Sequence, residues 1–231
     1  MKLDYRDFVT TEEKAFEILS DKKTWEIIED PRYEPILIAL RKGPMSVKEL
    51  EREYNLIIAK KIEKMPLEDE EKKEIREKAE RKGKTLYKYL DILIKLGLVV
   101  HAGKRVKMGQ TASETLYGRI AKVYFKSDKD FTKLRVNEIK KSIPIIAKII
   151  SMEKKAKEIS EECLTKFIKE CYIMLHNERK RVLSKYSEEI TKTAVDAKYD
   201  ELNLVNQFLD IYYLITHASE LKKLLNDCIK S

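Results

Sequence analysis

Apolar residues recur at helical spacing along most of this chain. In "DPRYEPILIALRKG" (30–43), Ile36, Leu37 and Leu40 share one face and Gly43 supplies a stop. Pro35 sits late for a helix beginning at Asp30, because its ring would clash with the carbonyl four residues earlier. An irregular start is therefore predicted. "MSVKELEREY" places Ser46 at an N-cap and Glu49 at N3, with Val47, Leu50 and Tyr54 inward. "KGKTLYKYLDILIKLGLVV" carries Leu86, Leu90, Leu93 and Leu96 at helical spacing, and Gly97 suits a left-handed C′ position. Nearer the N-terminus, Thr10 and Glu13 in "TTEEKAFEIL" have capping-box spacing and predict a short helix. Further on, two apolar stripes are expected to pack into a shared dimer core. One is Ile143, Ile146, Ile149 and Ile150; the other is Leu202, Val205, Phe208, Leu209, Tyr212 and Ile215.

Residues 99–125, "VVHAGKRVKMGQTASETLYGRIAKVYF", break this pattern. Valines and aromatics alternate with polar and basic residues, which predicts two strands joined around "GKRVKMGQTASE". Lys104, Arg105 and Lys107 are expected at the exposed tip of that hairpin. All six glycines lie between 43 and 118, and the only proline after Arg119 is Pro144. The C-terminal hundred residues should therefore form long helices.

Charge changes the picture. The chain nets +8, and residues 82–126 contain ten basic residues against Asp91 and Glu114, so the excess is local. A local excess points to a polyanionic partner. The longest apolar runs, such as "SIPIIAKII", are too short to span a bilayer, and the first residues lack the apolar core of a secretory signal. Three cysteines without CxxC spacing make a disulfide framework unexpected and a reducing cytoplasm the default. The heavy use of Lys and Glu suits a thermophilic source.

Helix, capped helix, basic helix and hairpin follow one another in the order of a winged helix-turn-helix. The segments "DPRYEPILIALRKGPMSVKELEREY", "KTLYKYLDILIKLGLVVH" and "SETLYGRIAKVYF" resemble the archaeal branch of the ArsR-type (arsenical-resistance-repressor-like) regulators over roughly residues 30–125. The resemblance implies a mainly α fold with a small β-hairpin wing. A winged helix-turn-helix domain (1–130) would precede a C-terminal helical dimerisation region (131–231). It also implies a cytoplasmic homodimer that binds double-stranded DNA at a near-palindromic operator, a sequence-specific repressor and not an enzyme. Thr85 and Tyr87 carry over as base-edge contacts. Lys82, Lys84 and Lys88 join them because periodicity leaves them exposed. Lys104, Arg105 and Lys107 would meet phosphate, with Gln110 and Thr111 in support, and Ser46 would cap its helix beside a phosphate. The departure is "NLIIAKKIEKMPLEDEEKKEIREKAERK" (55–82), where the family has a tight turn. Pro66 and the acids after it predict a new helix, either as a helical hairpin or as a backward extension of the basic helix.

The Cys-x-Cys or His/Asp metal ligands of such sensors are absent from the sequence, so neither metal nor cofactor is expected. Cys163 and Cys171 lie about two helical turns apart, and no P-loop, GxGxxG, HExxH or nucleophile elbow is present. Phe167, Cys171, Tyr172 and Met174 read as core before they read as an effector pocket. The rival readings are a sequence-neutral architectural DNA- or RNA-binding protein and a helical protein-interaction scaffold.

Overall fold

Helices dominate the computed structural model, which describes residues 5–107, 112–127, 139–155 and 158–230, with small sheets beside them. Two compact units emerge, residues 1–17 with 21–122, and residues 18–20 with 123–231. The main boundary between them falls after residue 122. The division crosses strands β2 (Lys14–Leu19) and β5 (Ala121–Lys126), which pair with each other.

The first unit begins with β1 (Tyr5–Val9), followed after β2 by α1 (Lys22–Glu29) and α2 (Glu34–Ala39). Pro35 lies in the first turn of α2. The irregular start is the turn before it, where the Asp30 carbonyl accepts from the amides of Tyr33 and Glu34. A 3-10 turn (Leu40–Lys42) ends at Gly43, whose φ of 117° lies outside the ordinary range of L-residues. Helix α3 (Val47–Glu63) opens with the full capping box, the Ser46 side chain accepting from the Glu49 amide and the Glu49 carboxylate from the Ser46 amide. Helices α4 (Asp69–Ala79) and α5 (Gly83–Lys95) follow, then β3 (Val99–Lys107) and β4 (Ser113–Arg119). Ile36, Leu40, Leu50, Tyr54, Leu86, Leu90, Leu93, Leu98, Val99 and Leu116 are fully buried and form the centre of this unit.

Residues 55–82 form the helical hairpin. Helix α3 runs on to Glu63, the chain turns before Asp69, and α4 leads back to α5. The acids Asp69, Glu70 and Glu71 occupy the first turn of α4, with Arg76 and Lys78 in its last, as the helix dipole favours. The hairpin closes where it opened. Asn55 donates to the Arg81 carbonyl at 3.0 Å and accepts from the Arg81 amide at 2.9 Å.

Two expectations fail at the N-terminus. Residues 14–19 are a strand, not a helix, and β1 adds a third strand to the hairpin in the antiparallel order β1-β3-β4. Both have a long-range cause. The Thr10 amide, which a capping box would use, donates to the Ala102 carbonyl at 2.8 Å, and the Lys14 amide donates to the Ile120 carbonyl at 2.9 Å, so both residues are held by distant backbone partners. A local cap contributes about 1 kcal/mol, which sheet pairing together with burial of Ala15 and Phe16 outweighs.

The second unit contains α6 (Ile143–Lys154), β6 (Glu158–Ile159), α7 (Glu161–Lys185), α8 (Ser187–Thr193), α9 (Tyr199–Thr216), α10 (Ala218–Asn226) and β7 (Ile229–Lys230). Its core gathers Ile143, Ala147, Ile159 and Leu164, with Ile146, Ile150, Phe167, Ile168, Leu225 and Ile229 against them. Phe167 is thus a core residue. Strands β6 and β7 pair antiparallel, and Cys163 is disulfide-bonded to Cys228. This bridge corrects the sequence expectation. The partner of Cys163 lies 65 residues away, where no short-range spacing rule reaches, and only Cys171 remains a free thiol. Both apolar stripes are also divided by the fold. Ile149 is exposed while Ile143, Ile146 and Ile150 turn inward. On α9, Leu202, Leu209 and Tyr213 face in, and Val205, Phe208, Tyr212 and Ile215 face solvent.

Candidate nucleic-acid interface

Helix α5 is sharply two-sided. At 100° per residue, Leu86, Leu90 and Leu93 occupy the buried side, and Lys84, Tyr87, Lys88, Asp91 and Lys95 lie within an arc of about 100° on the other. Lys84 and Lys88 are exposed, Tyr87 is 53% exposed, and Thr85 is half-buried at the edge of this arc. Lys82 is the exposed N-cap residue and makes no side-chain cap bond. The cap comes instead from α3, where the Glu51 carboxylate accepts from the Gly83 amide at 2.7 Å. Tyr89 turns away from the stripe, packs its ring at a tilt of 57° against Tyr33 with centroids 5.0 Å apart, and accepts from Arg81 Nε at 3.2 Å.

Ser46 is buried, and its hydroxyl lies 3.1 Å from the Glu49 carboxylate. In the structure it serves as the cap of α3. Two residues along, Lys48 is exposed and was missed by the sequence reading. Its ammonium meets Glu114 of β4 at 2.8 Å, a hydrogen bond that raises its pKa, with Tyr5 and Tyr87 adding to the effect. Lys48 therefore stands close to the α5 stripe. Lys48 falls off the face defined by Val47, Leu50 and Tyr54, which is the signal that identifies it in sequence.

The three hairpin cations part company. Lys104, Arg105 and Lys107 lie along strand β3; Gln110 and Thr111 lie outside the described residues. Strand alternation puts Lys104 on one face and Arg105 with Lys107 on the other. Lys104 sits opposite Phe8 and Thr115, and with Thr10, His101 and Gly103 these residues line a cavity of about 480 Å³.

Arg105 is not held out in solvent as the hairpin reading expects. Its side chain is only 18% exposed and forms a two-pronged bond to Asp7, at 2.6 and 2.7 Å, and a third contact to Glu49 at 2.6 Å. The Arg105 hydrogen bond holds the Asp7 carboxyl below its usual value. Burial pushes Glu49 up, but its bonds from Arg105 and Ser46 prevail and lower it. The guanidinium pKa rises in turn. Arg105 thus links β3, β1 and the capping box of α3. Arg119 is likewise structural, buried on β4 and paired with Glu13 at 2.9 Å. Both guanidiniums in the basic stretch are consumed by acids outside it, and lysines carry the exposed charge.

Among the described residues, no group of three or more His, Cys, Asp or Glu side chains is placed to hold a metal ion, and no helix is long and apolar enough to cross a membrane. No protein-family model matches this chain, and no curated protein is significantly similar to it.

Proposed function

We propose that the first unit is a winged helix-turn-helix, with α3 and α5 as its paired helices and β3–β4 as its wing, and that the protein is a dimeric, sequence-specific regulator that represses by occupying operator DNA. The observation that carries this reading is the outward stripe of α5. Lys84, Tyr87 and Lys88 stand exposed, side by side, on a helix held rigid by Leu86, Leu90 and Leu93 beneath. Lysines on such a stripe would meet phosphates, and Thr85 and Tyr87 would reach base edges in the major groove. Lys48 would contact the backbone from the first turn of α3. Of the strand residues, Lys107 remains a candidate phosphate contact, and Arg105 is reassigned to holding the wing in place.

A second reading, sequence-neutral binding of single strands, is favoured by the cavity beside Phe8, His101 and Lys104, where a base can stack next to an ammonium. Titration against the chain's own upstream DNA at two salt concentrations separates the two. A regulator gives a specific-to-nonspecific ratio of roughly 10³ or more, with a salt slope of about −5 for six phosphate contacts. Lys84→Ala with Lys88→Ala should shrink the slope and leave stability unchanged. Preference for single strands, lost in Phe8→Ala, would establish the second reading instead.

A further inference from the structure

Helix α9 carries apolar side chains on two opposite faces. At 100° per residue, Leu202, Leu209 and Tyr213 centre on one side, where Asp210 also pairs with Arg179 of α7. Leu204, Val205, Phe208, Ile211, Tyr212 and Ile215 lie within about 120° on the opposite side, with exposures of 47–69%. Between Leu202 and Thr216 the only charged residue is Asp210, and it belongs to the inward side. The outer face therefore carries no charged side chain between Leu202 and Thr216. Val205, Phe208, Tyr212 and Ile215 also follow the three-then-four spacing of a coiled-coil seam.

We infer that this face is covered by the same face of a second copy of the chain. With about 150–230 Å² on each such side chain, the exposures leave roughly 650 Å² of contiguous apolar surface. That exceeds the largest patch most monomers tolerate and approaches the ~800 Å² that each partner contributes to a standard interface. Phe208 and Tyr212 provide central aromatic anchors of the kind that dominate interface energetics. A patch paired across a two-fold axis needs only self-complementarity, which a charge-free seam meets. A lipid surface fits less well, because membrane-lying helices flank their apolar face with Lys, Arg and Trp, and α9 contains none. The pairing deepens the dimeric part of the proposed function and stands independently of DNA binding.

The test is sedimentation velocity of the full chain from about 1 to 100 μM, beside Phe208→Glu and the milder Phe208→Ala with Ile215→Ala. The wild type should sediment as a dimer. The Glu variant should dissociate at least about a hundredfold more readily, and the double Ala variant should also weaken, with the far-ultraviolet circular dichroism of both unchanged. A monomeric wild type overturns the inference, whether or not it sediments with phosphatidylcholine–phosphatidylserine vesicles. A dimer unaffected by either variant, though both remain folded, overturns it too. DNA titration of the same samples keeps the readings apart: a dimer that ignores DNA refutes the regulator, and a monomer that binds DNA refutes the pairing.

Discussion

Replacing Arg105 with Ala tests whether that side chain holds the fold together or holds a ligand. The substitution removes the two-pronged bond to Asp7 and the contact to Glu49, the side-chain ties of β3 to β1 and to α3, while the backbone pairing of β1 with β3 remains. Asp7 is more than a third exposed, so solvent screening keeps its share below about 1 kcal/mol. Glu49 is less exposed and would retain only its Ser46 bonds, for a further cost of about 1 kcal/mol. The sum of about 2 kcal/mol should lower the Tm of the first unit by roughly 6–10 °C. The pH dependence has a definite sign. Both carboxyls are lowered in the folded protein, so their contribution is complete above the ordinary values of 3.8 and 4.5 and disappears as pH falls through the folded values. Urea unfolding followed from pH 7 downward should therefore show a clear gap between wild type and variant that narrows in acid. A variant of unchanged stability at pH 7 that has lost DNA affinity would refute the reasoning and return Arg105 to the phosphate-contact role.

The remaining predictions concern the other long-range ties. Gly103→Ala should cost at least about 2 kcal/mol, because a Cβ at φ +157° would lie 2.0 Å from the Phe8 carbonyl oxygen; faster hydrogen exchange along β1 should report it. The native protein should titrate one thiol, Cys171, and three after reduction under denaturing conditions. Cys163→Ser with Cys228→Ser should destabilise the second unit by about 4 kcal/mol, as expected for opening a 65-residue loop; calorimetry that shows no shift would exclude this. Asn55→Ala removes the reciprocal bonds that close the α3–α4 hairpin and should cost about 1–2 kcal/mol, read from the urea midpoint.

Wherever a segment's structure is set by its immediate neighbours, the sequence was enough. Ser46 and Glu49 lie three residues apart and satisfy each other, so the start of α3 was legible. The same holds for the φ of +66° at Gly97, the acidic opening of α4 and the buried row on α5. The candidate stripe of Lys84, Tyr87 and Lys88 was legible for the same reason, since helical periodicity separates it from Leu86 and Leu90. Tertiary structure decided everything that depended on a distant partner. Thr10 and Glu13 match a capping box, yet sheet pairing to Ala102 and Ile120 prevails. Arg105 reads as an exposed cation until the fold brings Asp7 and Glu49 to it, and Cys163 reads as an isolated thiol until β7 returns with Cys228. On α9, periodicity announced apolar residues, but which of them turn inward depended on where α7 supplies Arg179 to Asp210. Propensity, capping and periodicity act over three or four residues, whereas pairing of charges, strands and sulfurs is chosen by the whole chain's packing.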